Sequence, residues 1–219
     1  MIDAYEALIP EYLSQEDFIR YGLEKTVYIP DDKVKEGWED LKKQINSNKK
    51  VFMRGVKDNN ITRMFFDYYK DIVKNERIAK DPSNTQNPAK VIEDLSGIKK
   101  SKDLRNYQLT SIFGRSRNIF AFTAPWNIVY IPNLIDPLLS AEANNELSKE
   151  FQKDFQKNAY EKFKPQIDEF NKIVTDHHFR QSTDDYFEHL YNNNRLYPRE
   201  NTEKFEEIYR EDFAPIVVD

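Results

Sequence analysis

Apolar residues recur at helical spacing along most of this chain. Val34, Trp38, Leu41 and Ile45 share one face, which predicts an amphipathic helix over 33–47. The stripe of Met64, Phe65, Tyr68, Tyr69, Ile72 and Val73 predicts a longer helix over 61–80. Residues 2–22 read as a helix broken at Pro10 and restarted behind Ser14, with Asp17 three residues on as a variant capping box. A short helix over 89–96 ends near Gly97. Leu147, Phe151, Phe155, Tyr160 and Phe163 mark a long helix from Ser140 to about Phe163, and Pro165 separates it from a second at 166–179. Further helices are expected at 183–193 and 202–213.

Extended structure is scarcer. TVYIP at 26–30 and VFMRG at 51–55 read as short strands, the second closed by Gly55. DPSNTQNP at 81–88 has the composition of a loop, and APIVVD at the C-terminal end reads as a docking strand. Residues 106–137 differ from the rest. Two apolar runs, IFAFT and NIVYIP, flank Ala-Pro-Trp, with further prolines at 132 and 137, which predicts an irregular two-stranded unit. The expected class is α+β, a mostly helical single domain over 1–219, with 164–219 as a helical C-terminal extension.

Composition narrows the chemistry. The 219 residues include 15 Phe, 13 Tyr and 2 Trp, enough rings to build a core despite 32% charged residues. Without cysteine, disulfide scaffolds, thiolate zinc sites and thiol nucleophiles are excluded. No stretch approaches the length of a membrane span, and the acidic N-terminal segment does not resemble a signal peptide, so a cytoplasmic protein without a membrane partner is expected.

The net charge of -5 is unevenly placed: residues 1–32 carry -6, 33–133 carry +9 and 134–219 carry -8. Positive charge peaks at 99–118, where Lys99, Lys100, Lys102, Arg105, Arg115 and Arg117 face one acid, Asp103. Such a centre suits a phosphate-facing groove, although lysine and arginine clusters are also ordinary solvated loops.

The stretches NYQLTSIFGRSRN (106–118), FTAPWNIVYIP (122–132), DP (136–137) and EANNELSKEFQKDFQ (142–156) resemble a group of bacterial HNH nucleases of restriction-endonuclease type. MRG (53–55) and DPSNTQNP (81–88) fit the same pattern upstream. The resemblance implies a ββα-metal unit over 106–163, in which a histidine activates water, an asparagine orients it, and a helix-borne ligand holds a divalent ion. The base position falls at Ser111, the structural asparagine at Asn127 and the second histidine at Ala141. Serine and alanine cannot supply that chemistry. The resemblance implies a protein that binds double-stranded DNA, as the homodimer common in that group, with cleavage lost or strongly weakened and no cofactor required. Two other readings stand beside it. One is an active nuclease holding Mg²⁺ or Mn²⁺ through Asp136 and Glu142. The other is a protein-interaction module on the same scaffold, using the acidic C-terminal third.

Two further patterns have ordinary explanations as well as functional ones. His177 or His178 with Asp185 and His189 has the residue types of a small metal site, or of solvated helix positions. Phe113, Phe120, Phe122, Trp126 and Tyr130 alternate with arginines as a base-stacking surface would, or as a core strand would.

Overall fold

A computed structural model describes residues 13–140, 143, 145–193 and 196–218. Helix α1 (Gln15–Lys25) starts where the capping pattern places it: the Ser14 hydroxyl accepts the Asp17 N–H at 3.0 Å. Gly22 lets α1 approach its neighbour, since a Cβ there would sit 2.6 Å from the Phe151 ring. α2 (Asp31–Asn46) buries Val34, Trp38, Leu41 and Ile45, the predicted stripe. TVYIP contributes a single bridge rather than a strand, with Val27 and Tyr130 exchanging both backbone hydrogen bonds.

The next segment departs from its periodicity. β1 (Val51–Met53) is followed by α3 (Asn59–Tyr68), a π-turn (Tyr69–Val73) and then β2 (Ile78–Lys80), which pairs in parallel with β1. The expected helix over 61–80 therefore stops early. Lys74 adopts a left-handed conformation, φ 60°, and the buried Asn75 side chain donates to Ile45 and Lys49 carbonyls while accepting Arg77 N–H. These contacts satisfy the chain outside the helix and turn it onto the sheet edge.

The loop at 81–85 leads into α4 (Gln86–Ser96), which begins before the predicted 89 and takes Pro88 into its first turn. Asp81 caps it from a distance, accepting the Gln86, Asn87 and Ser83 amides. Burial opposes the Asp81 charge, but these amides and the Asn87 side chain hold its carboxyl below the usual range. Gly97 ends the helix in a left-handed C-cap, φ 74°.

After the short α5 (Lys100–Asp103) comes the antiparallel pair β3 (Tyr107–Ser111) and β4 (Ile128–Pro132), with Leu109 opposite Tyr130 and Ser111 opposite Ile128. The first strand is thus YQLTS, not IFAFT. IFAFT is apolar because it is covered on all sides. Residues 118–127 are buried, folded through turns in which the Asn118 carbonyl accepts the Ala121 and Phe122 amides.

The C-terminal half is helical. A 3₁₀ turn (Asp136–Leu139) includes Asp136, and α6 (Glu146–Lys162) is capped by Asn145 instead of Ser140. α7 (Lys164–Thr175) accommodates Pro165 in its first turn, so the break falls at Phe163. The predicted helix over 166–179 is divided: Asp176 caps α8 (His177–Asn192), its carboxylate accepting Phe179 N–H at 2.9 Å. α9 (Arg199–Asp212) follows. The terminal segment is not a strand, yet Asn171 holds it as a strand would, donating to Ile216 C=O at 2.8 Å and accepting its N–H at 2.7 Å.

A continuous cluster of buried side chains extends from Phe18 to Ile216 and joins both halves in an α+β, mostly helical domain. Tyr68 is its aromatic centre, meeting Tyr69, Tyr186, Phe205, Tyr209 and Phe213 edge-on. Among the described residues, no helix is long and apolar enough to cross a membrane.

Candidate nucleic-acid interface

One face of the β3–β4 hairpin, carrying Leu109, Ser111, Ile128 and Tyr130, is overlaid by α4 and the segment through α5. Between them lies a groove of about 760 Å³. Lys100, Lys102 and Arg105 line it, together with Glu93 and Asp103. Among the described residues none of these three cations is in an ion pair, and Lys102 and Arg105 are exposed. Asp103 is partly committed to local structure, accepting the Lys99 amide at 2.7 Å, while Lys99 itself is exposed just ahead of the groove. On the groove wall, Tyr130 is fully buried and its hydroxyl has no hydrogen-bond partner among the described residues. Burial pushes that hydroxyl above its ordinary pKa, and the charge of Glu93 adds to the effect.

A smaller cavity of about 110 Å³ shares Thr85 and Leu109 with the groove. Arg54, Asn84, Ser111 and Ser116 are its polar lining. The two upstream stretches meet here. Gly55 N–H donates to the Asn84 side-chain oxygen at 3.3 Å, and Asp81 N–H donates to Met53 C=O at 2.9 Å. A Cβ at Gly55 would lie 2.2 Å from the end of the flexible Lys80 side chain, which would have to move aside.

The other sequence candidates have different surroundings. Asn127 is fully buried and clamps the loop after β3: its oxygen accepts Phe113 N–H at 2.9 Å, and its NH₂ donates to Gly114 and Ala121 carbonyls at 2.9 and 3.0 Å. That is a structural role. Arg115 and Arg117 turn towards the C-terminal helix. Arg115 Nε donates to Ala214 C=O at 3.3 Å, and Arg117 Nε lies 2.7 Å from the Asp212 carboxylate, with Glu211 at 3.5 Å. Asp212 is 2% exposed, and burial pushes its pKa to about 6 although Arg117 pulls the other way. Arg115 and Arg117, expected in the phosphate-facing centre, instead tie this turn to the C-terminal segment. Gly114 and Arg115 both adopt left-handed conformations to make it.

The aromatic interleaving is core. Phe113, Phe120, Phe122, Trp126 and Tyr130 are all at most 7% exposed, and Trp126 packs on Trp38 and Phe170. These rings offer no stacking platform. His177, His178 and His189 are exposed along α8, and Asp185 accepts from Gln181.

Ala141 and Glu142 lie outside the described residues. Asp136 is partly buried, and burial raises its carboxyl while Lys100 opposes the shift. Among the described residues no group of three or more His, Cys, Asp or Glu is placed to hold a metal ion. Of the Asp136 and Glu142 pair expected to hold the ion, only Asp136 is among the described residues.

Sequence reasoning did not single out Arg54, Asn84 or Ser116. Only the Arg-Gly pair at 54–55 and the polar loop at 81–88 signalled them, through the order of motifs and not through spacing.

Comparison with known proteins places the chain in a family. It belongs to the family described as uncharacterised protein PM1201, whose model matches residues 29–218. Uncharacterized protein PM1201 of Pasteurella multocida (strain Pm70) is 34% identical over 164 residues, covering 74% of each chain. No solved structure matches. Neither description states an activity.

Proposed function

We propose that this chain binds nucleic acid through its phosphates, along the groove between α4, the α5 segment and the β3–β4 hairpin, and does not cut it. The observation that carries this reading is the set of Lys100, Lys102 and Arg105 on one groove, none of them in an ion pair among the described residues. Uncommitted cations in a concave site concentrate field and recruit polyanions, whereas cations already paired contribute little. The absence of cleavage follows from the residues at the HNH positions. Ser111 stands where a histidine would act, and residues 106–163 contain no histidine to serve instead. An unactivated serine hydroxyl does not take a proton from water near neutral pH.

The test is gel retention of short DNA duplexes and single strands by the wild type and by a variant carrying Lys100→Glu, Lys102→Glu and Arg105→Glu. Retention at low salt should be lost in the variant, with its thermal unfolding unchanged. Equal retention by both proteins would overturn the assignment of the groove.

A further inference from the structure

The small cavity next to the groove is built differently from the groove itself. At about 110 Å³ it falls below the roughly 300–1,000 Å³ of pockets that enclose whole ligands, so it suits one group of a larger ligand. Its lining contains no carboxylate. Its polar residues are Arg54, Asn84, Thr85, Thr110, Ser111 and Ser116. Asn84 spends its side-chain oxygen on Gly55 N–H, which leaves its NH₂ as a donor. Arg54 forms no ion pair among the described residues. Its backbone is fixed against the opposite wall, where Arg54 N–H donates to Ser116 C=O at 2.9 Å. The first amides of α4 are occupied by Asp81, so the helix end plays no part.

An arginine, an amide NH₂ and several hydroxyls around a limited volume, with no carboxylate among them, suit an oxyanion. A phosphate monoester carries nearly two negative charges and three strong acceptor oxygens, and the guanidinium fork with neighbouring hydroxyls matches that demand. A diester inside a strand offers one charge and must leave by two directions. The cavity is walled by Pro88, Phe122 and Ile128. Its link to the groove runs past Thr85 and Leu109, the residues common to both.

We infer that this cavity receives the terminal phosphate of a nucleic-acid strand whose body lies in the adjoining groove. The inference rests on the groove reading above and adds to it: the protein recognises an end. Ser111 becomes a hydrogen-bond donor to a phosphate oxygen, not a failed base.

Fluorescence anisotropy with one labelled single strand prepared with a 5′-phosphate, a 3′-phosphate or hydroxyl ends tests it, with orthophosphate alone as a further probe. One phosphate-ended strand should bind about tenfold or more tighter than the hydroxyl-ended strand, as one additional charge-assisted site implies. Arg54→Gln should bring the two within about twofold while leaving the hydroxyl-ended strand unaffected, and Ser111→Ala should reduce the preference in part. Equal wild-type affinity for all ends would overturn the inference while the groove reading stands. So would an Arg54→Gln effect of equal size on every strand, since Arg54 would then be an ordinary backbone contact. If no strand binds at low salt, the groove reading fails. A thermal upshift by orthophosphate in wild type but not Arg54→Gln would then overturn the assignment to a strand end and keep a free-phosphate site.

Discussion

Replacing Asn127 by alanine removes the clamp that shapes the loop between β3 and Arg115. Phe113 N–H loses its partner inside the core, at 2.9 Å in the native protein. Ala121 C=O loses one of two donors and keeps Ala124 N–H at 3.2 Å, and Gly114 C=O loses a donor at a partly buried position where water can replace it. The orphaned N–H costs about 1–3 kcal/mol and the lost bond to Ala121 about 0.5–1.5, centrally about 3 kcal/mol together. That is a large share of the about 5–15 kcal/mol that holds a typical domain folded. For a chain of this size each kcal/mol lowers Tm by about 2–4 °C, giving a loss of about 6–12 °C. Thermal unfolding followed by circular dichroism at 222 nm measures it directly. Asn127→Asp should be no milder, because it keeps the acceptor for Phe113 but sets an oxygen against two carbonyls. A drop of less than about 4 °C in Asn127→Ala would refute the structural role and return Asn127 to the list of functional candidates.

Three other perturbations follow from the same geometry. Asp212 titrates at about 6 in the folded protein against 3.8 unfolded, so its protonation adds stability that is complete below 3.8 and lost as pH rises through 6. Stability should be higher at pH 5 than at pH 7.5 by about 1–1.5 kcal/mol, and Asp212→Asn should remove most of that gain in urea titrations; a flat wild-type profile would contradict it. Asp136 shifts in the same direction, whereas Asp81, Glu169 and Glu206 are held below their ordinary values and matter only at lower pH. Tyr130→Phe deletes a buried hydroxyl without a partner and should raise Tm by about 2–4 °C, a gain of about 1 kcal/mol; a fall would mean the hydroxyl is satisfied. Asp176→Ala should cost about 1 kcal/mol through loss of the α8 cap, and no change would place the start of that helix elsewhere.

Helix faces were legible because burial repeats at 3.6 residues: the stripe Val34, Trp38, Leu41 and Ile45 is the buried face of α2. Boundaries were less so where a single side chain decides them. Asn75 ends the helix after Val73 by bonding to carbonyls 26 and 30 residues away, contacts that no local pattern contains. IFAFT misled for a related reason, since an apolar run reports burial and not extension. The basic cluster at 99–118 divided along a line invisible in sequence. Lys100, Lys102 and Arg105 face the groove, while Asp212, 95 residues after Arg117, draws the later arginines inward. The resemblance led to Ser111, which lines the small cavity. Arg54 and Asn84 reached that cavity only through the pairing of β1 with β2 and the loop that follows.

The most direct measurement is the salt dependence of strand binding by the wild type and the Lys100→Glu, Lys102→Glu, Arg105→Glu variant. Three phosphate contacts give a slope of log K against log salt of about -2 to -3, or a roughly 20- to 40-fold loss between 50 and 200 mM. The groove predicts that slope for the wild type and no measurable binding for the variant. A wild-type slope near zero, or the same slope and affinity in both proteins, would contradict it.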